Sequence, residues 1–176
     1  MILNILNYKN PTLRKKSEEV KEITPKIKRL ASDMQETMIK NKGLGLAAPQ
    51  VGELKQMIVV HLVKNRSFDE RAGLEPEILI NPRIVGKSKE AETEEEGCLS
   101  APGIFLKIKR AKGVKVEAKN IEGKVMKIEA EGLPARILQH EIDHLNGVLF
   151  FNRISFWQRL KIRKKLAVLE KSDGFN

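Results

Sequence analysis

The segment from Gly132 to Gly147, GLPARILQHEIDHLNG, constrains the fold more than any other stretch. Pro134 suits the first turn of a helix, where its missing N–H leaves nothing unsatisfied. Gly147 suits a left-handed stop. Between them Ile137, Leu138, Ile142, Leu145, Val148 and Leu149 make the segment apolar almost all round, which calls for a buried helix. That helix carries His140-Glu141-Ile142-Asp143-His144, an H-E-x-x-H pattern. Histidines four residues apart lie one turn above each other, with Cβ atoms about 5–6 Å apart. Both imidazoles can then reach one ion, with Glu141 at its flank. A glutamate so placed can take a proton from water on the ion and return it to a leaving group. Chance alone would give one capping and one exposed histidine, but the chain has only 3 histidines and two fall in this pattern.

The remaining elements have to surround that helix. Thr24-Pro25 reads as a cap with a first-turn proline after it. Ile27, Leu30, Ala31, Met34 and Met38 then keep helical spacing to about Lys42-Gly43, with the methionines as core. Residues before Thr24 read as irregular. Met57 to Leu62 reads as a buried strand holding a structural His61, and residues 65–76 as a polar loop. Ile78 to Val85 reads as a second strand that Asn81-Pro82 confines to an edge or marks with a bulge. Lys87 to Glu96 is polar and suits one side of a hairpin. Phe105 and Ile108, Val114 to Ala118, and Val125 to Ile128, with a turn at Asn120 to Gly123, suggest an antiparallel meander. From Ser155 apolar residues at Phe156, Leu160, Ile162, Leu166 and Leu169 sit among basic ones and suggest a terminal helix. The expected fold is α+β: antiparallel β-sheets packed around a central buried helix carrying H-E-x-x-H, plus an N-terminal-half helix and a basic C-terminal helix over 155–171. A chain of 176 residues without repeats or linkers reads as a single catalytic domain, 1–176.

Gly43-Leu44-Gly45-Leu46-Ala47-Ala48-Pro49-Gln50 superficially fits the dinucleotide fingerprint G-x-G-x-x-A, but that motif needs a strand before it and a helix opening from it. Here a helix precedes, and Pro49 and Gly52 break any helix that could open from the glycines. The glycines read instead as clearance for a close backbone approach, with Gln50 projecting an amide into the same place. The stretch is too apolar for a solvent loop.

Charge and cysteine usage narrow the function classes. A composition 32% charged and 41% hydrophobic is that of a globular chain, not a disordered one. Cys98 is the only cysteine, so no intrachain disulfide can form. The start MILNILNYKN lacks the pattern of a signal peptide, and no stretch reaches membrane-spanning length, so a cytoplasmic, membrane-free setting is expected. The net charge is +10, and residues 153–171 carry seven basic side chains against Glu170 alone. Glu90, Glu92, Glu94, Glu95 and Glu96 form an opposite bias, so different partners are expected at different places. A catalytic site built on H-E-x-x-H wants a third ligand with one position open. His61, Asp143, the glutamate run and Cys98 are candidates. A thiolate is a strong ligand for Zn²⁺ or Fe²⁺, although a lone cysteine is often inert core.

Three motifs together carry a resemblance. Gly43-Leu-Gly-Leu-Ala-Ala-Pro-Gln50, Glu96-Gly-Cys-Leu-Ser100 and Gln139-His-Glu-Ile-Asp-His144 resemble, in order and spacing, the signature motifs of the peptide deformylase family. The likeness spans roughly the whole chain. It implies removal of the formyl group from the N-formyl-methionyl peptide of nascent chains, with release of formate. It implies one divalent ion held by Cys98, His140 and His144, with Fe²⁺ the family's common ion and Zn²⁺ or Ni²⁺ able to take its place. It further implies Glu141 as proton shuttle, and Gln50 with the backbone N–H of Leu99 as oxyanion donors. Gly43, Leu44, Gly45, Glu96, Gly97, Leu133 and Ile137 are expected on the substrate side, with Leu44, Leu133 and Ile137 as the methionine pocket. Glu96 is expected to pair with Arg110. Some relatives dock at the ribosome through a basic C-terminal helix, so ribosomal RNA near the exit tunnel is an expected partner of residues 155–171. Phe105 stands where some members carry arginine, Glu94 where several carry an apolar residue, and Pro134 where many carry leucine. The first two bear on the rim of the pocket, not on the chemistry.

Two rival readings make different demands. A zinc peptidase cutting internal bonds usually draws its third ligand from a downstream histidine or glutamate, and after His144 the chain offers only Glu170. A basic RNA-binding protein with a structural metal would rest on the C-terminal charge alone.

Overall fold

The computed structural model describes residues 1–62, 76–160 and 162. Seven strands and two α-helices form its frame: α1 Pro25–Lys40, β1 Gly45–Ala47, β2 Met57–Val60, β3 Glu77–Lys87, β4 Ala91–Cys98, β5 Ala101–Ala111, β6 Gly113–Lys119, β7 Val125–Glu131 and α2 Leu133–Leu145. One antiparallel sheet has the order β1-β2-β3-β6-β7, and β4 and β5 form a separate antiparallel pair.

Alternation along the strands divides the core in two. Ala47, Ile58, Val60, Leu79, Val114 and Val116 point to one cluster with Leu138, Ile142 and Leu145 of α2. Their neighbours Leu46, Met57, Val59 and Ile80 point to another, with Ala31, Met34 and Met38 of α1. The sheet is therefore packed by α2 on one face and α1 on the other, as the period of two in β2 requires when both faces are apolar. The cap at Thr24 accepts from the Ile27 N–H at 3.4 Å, and Pro25 opens α1 as its sequence suggests.

Every residue of α2 from Pro134 to Leu145 is buried, and Leu133 at its start is not. The helix packs against β1, β2, β3, β5 and β7. Its C-terminal stop is Gly147 at φ +69°. There the irregular N-terminal arm closes on the helix end, with the Ser17 N–H donating to the Leu145 carbonyl at 2.8 Å.

Of the two readings of Asn81-Pro82 the bulge holds and the edge does not, because β3 lies between β2 and β6. The pair sits in a bulge between Ile80 and Arg83, where the missing proline N–H falls outside the ladder and Asn81 takes a φ of +53°. Asn81 also binds both backbone groups of Val20 at 2.9 Å, which ties the N-terminal arm to the sheet. The meander is shorter than its sequence suggests, because β5 pairs with β4 and only β6 and β7 continue from β3. Cross-strand pairs such as Glu95 opposite Lys107 explain why the polar β4 sequence forms a ribbon of its own. The expected loop at 65–76 falls, apart from Pro76, outside the described residues. Of the expected C-terminal helix over 155–171, residues 156–160 and 162 are helical, Ser155 is not, and 161 and 163–171 lie outside the described residues.

A Cβ on Gly147 would come within 2.5 Å of the Arg14 carbonyl oxygen, at a φ that side chains rarely adopt. Gly147→Ala should therefore lower the stability of the fold by about 1–3 kcal/mol, read from urea unfolding. An unchanged midpoint would contradict this role for the turn.

Candidate functional site

A cavity of about 600 Å³ opens between β1, the β4–β5 turn and one face of α2. Each of its walls has a local reason. The β4–β5 ladder slips between Glu96 and Cys98, which leaves Cys98 at the strand end beside the helix. The 3₁₀ turn Ala48–Val51, opened by Pro49, buries Gln50 against that strand end. The N-terminal arm braces both, with the Leu6 N–H donating to the Gln50 carbonyl and the Tyr8 N–H to that of Ser100, each at 2.7 Å.

Three ligand-type atoms converge at the floor. The Cys98 thiol, a His140 ring nitrogen and a His144 ring nitrogen all lie within 4.8 Å of one another. Cys98 Sγ is 3.3 Å from His144 Nε2. A tetrahedral ion bonded at about 2.0–2.3 Å spaces its ligand atoms about 3.3–3.7 Å apart, so this cluster fits one with little closing. His61 and Asp143 do not join it. His61 is buried and has partners of its own, and Asp143 is taken by arginines.

What orients the ring of His140 is a buried carboxylate. Glu96 Oε2 is 3.0 Å from His140 Nδ1, which leaves Nε2 to face the cluster. The same carboxylate accepts from Arg110 Nε and Nη2 at 2.9 and 3.0 Å, and from Arg136 Nη1 at 2.7 Å. Burial pushes Glu96 upward, but the hydrogen bonds from His140 and Arg110 and the charge of Arg110 outweigh it and hold it at about 2. It is ionised at any working pH. Arg110 continues to Asp143, which also receives Arg153. Gln139 clamps the helix to β5 by exchanging both hydrogen bonds with the backbone of Ala111, at 2.9 and 3.2 Å.

Glu141 and Gln50 sit beside this base on the cavity wall. Glu141 is 5% exposed, and among the described residues its Oε2 has no hydrogen-bond partner. Burial drives its pKa up to about 7, where a carboxyl can both take and give a proton near neutrality. A Cβ on Gly45 would lie 2.3 Å from Glu141 Oε1, so that glycine makes room for the catalytic-type glutamate itself. Gln50 Oε1 is fixed by the Ala47 N–H at 2.7 Å, and its NH₂ reaches Cys98 Sγ at 3.5 Å and Ser100 Oγ at 3.2 Å. An amide anchored in this way presents donors at the cavity wall. Burial also holds His144 neutral, far below its ordinary pKa.

Of the residues expected on the site, Gly43, Leu44, Gly45, Gln50, Glu96, Gly97, Cys98, Leu99, Leu133, Ile137, His140 and Glu141 line the cavity, and His144 lies just behind it. Sequence reasoning missed Arg136. An arginine on the apolar face of a helix is a signal in itself, since such a charge is buried only when paired.

Known proteins are similar to this chain in sequence and fold. The family model described as polypeptide deformylase matches residues 2–160. Peptide deformylase of Acinetobacter baumannii is 43% identical over 165 residues, which cover 94% of this chain and 90% of that protein. That of Thermotoga neapolitana is 44% identical over 165 residues, covering 94% of each. The crystal structure of peptide deformylase from Ehrlichia chaffeensis superposes with a TM-score of 0.88 at 39% identity, covering 99% of this chain and 100% of that one. The same enzyme in complex with actinonin superposes with a TM-score of 0.85.

If Glu96 sets the ring of His140, removing its charge should loosen the ion's hold. Glu96→Gln should weaken divalent-metal affinity about 10–100-fold, measured by competition with a chromogenic chelator. Unchanged affinity would show that the carboxylate only fills space.

Proposed function

This chain belongs to the polypeptide deformylase family, hydrolases that remove the N-formyl group from nascent polypeptides, and on that premise we propose how its own residues divide the work. The observation that carries the proposal is the convergence of Cys98, His140 and His144 within 4.8 Å, beside the buried, unpartnered oxygen of Glu141. Cys98, His140 and His144 would hold one divalent ion, with Fe²⁺ native and Zn²⁺ or Ni²⁺ able to replace it; one thiolate with two imidazoles suits all three. When bound, the ion polarises the formyl carbonyl and lowers the pKa of a water at the site to about 7.

The rest of the chemistry belongs to the chain. Glu141 takes a proton from the attacking water and later delivers it to the departing amine as the C–N bond breaks, leaving formate and a free N-terminus. The Gln50 NH₂ and the Leu99 N–H face the carbonyl oxygen as it gains charge, and one such donor is worth about 10²–10³ in rate in other enzymes. Gly43 and Gly45 offer backbone for an extended peptide to lie strand-like against them. Leu44, Leu133 and Ile137 take the methionine side chain, and Glu96 and Gly97 line the same cavity. Residues 1–176 act as one catalytic unit in the cytoplasm, and the basic segment 155–171 docks on ribosomal RNA near the exit tunnel.

Glu141→Gln should keep stoichiometric metal yet lose turnover by about 10²–10⁴-fold in a formate-release assay on a formyl-Met peptide. A variant with near-normal turnover would remove Glu141 from the proton path. For docking, replacing Lys164 and Lys165 by glutamate should reduce co-sedimentation with ribosomes, and raised salt should weaken the binding of the unaltered chain steeply. Equal binding by both chains would end the docking proposal and leave the hydrolytic one intact.

A further inference from the structure

Helix α2 faces a cavity on each side. Ile137, His140 and Glu141 look into the catalytic one. Ile142, Asp143, Leu145 and Asn146 line a second cavity of about 600 Å³, closed by Arg83 to Lys87 of β3 and by Lys16 of the N-terminal arm, with Arg153 at its side. Four cationic side chains, Lys16, Arg83, Lys87 and Arg153, meet one carboxylate there, that of Asp143. Arg83 is satisfied by Glu117 at 2.7 Å. Asp143 is already shared between Arg153 and the buried Arg110. Among the described residues Lys16 and Lys87 have no acidic partner. A concave site with this surplus of positive charge concentrates anions, and its volume is that of a small-molecule site.

We propose that this second cavity binds a small phosphate-bearing polyanion, held by Lys16, Lys87 and Arg153. Phosphate is the anion whose charge and several oxygens satisfy two ammonium groups and a guanidinium at once. The position gives the site a consequence. Arg153 pairs with Asp143, Asp143 with Arg110, Arg110 with Glu96, and Glu96 with the ring of His140 at 3.0 Å. A ligand that draws on Arg153 competes for the far end of the chain that orients His140.

The site is tested by calorimetric titration of the metal-loaded protein with pyrophosphate at fixed ionic strength. The expected result is saturable one-to-one binding that the double variant Lys16→Ala/Lys87→Ala weakens about tenfold or more. Lys127→Ala, on a strand outside the cavity, should bind as the unaltered chain does. The double variant should also keep its basal formate release, since neither lysine lines the catalytic cavity. Equal pyrophosphate binding by the double variant would place the anion on the catalytic ion and overturn the proposal, as would binding that never saturates. Binding of a short oligoribonucleotide without binding of pyrophosphate would assign the cavity to a nucleic-acid backbone and overturn it equally.

Discussion

One buried carboxylate holds the architecture together. Glu96 reaches into the interior from β4 and is met there by Arg110 of β5, Arg136 of α2 and His140 of α2. Taking these charges out of water costs several kcal/mol per ion, and only a nearly complete set of hydrogen bonds recovers it. The set ties the β4–β5 ribbon to the helix through four groups at once. Because Cys98 lies two residues beyond Glu96, fixing the carboxylate also fixes the thiol. The stability of the ribbon and the shape of the ligand cluster are therefore one problem with one solution.

The same logic explains the contrast between two glutamates on either side of His140. Glu96 is surrounded by cations and held at about 2, whereas Glu141 is buried with an unpaired oxygen and pushed up to about 7. One is a permanent anion that orients a ring. The other has the pKa that the proposed proton transfer needs near neutrality. Environment, not residue type, separates the roles.

Much of this was legible in the sequence. The helix with H-E-x-x-H declares itself through Pro134, Gly147 and an apolar surface that leaves it nowhere to go but the interior. Thr24 and Pro25 mark α1 through chemistry local to its first turn. The glycines at 43 and 45 announce a close approach, but not that Gly45 makes way for Glu141, because the partner lies almost a hundred residues away. Asn81-Pro82 signals a break in the ladder, yet a bulge in an interior strand and an edge look alike until the neighbouring strands are known. The split between β5 and β6 at Lys112 has no local signature either, since each strand alternates well enough to join either sheet. Arg136 and Asp143 were hidden for the same reason: their partners Glu96, Arg110 and Arg153 come from three separate elements.

The proposed chemistry requires one sulfur and two ring nitrogens, those of Cys98, His140 and His144, to share a single ion. X-ray absorption on the metal-loaded protein measures that inner set of ligands directly. It should find one sulfur at about 2.3 Å and two nitrogens at about 2.0–2.1 Å, the remaining scatterer being light. A ligand set without sulfur would contradict the convergence of Cys98 with His140 and His144.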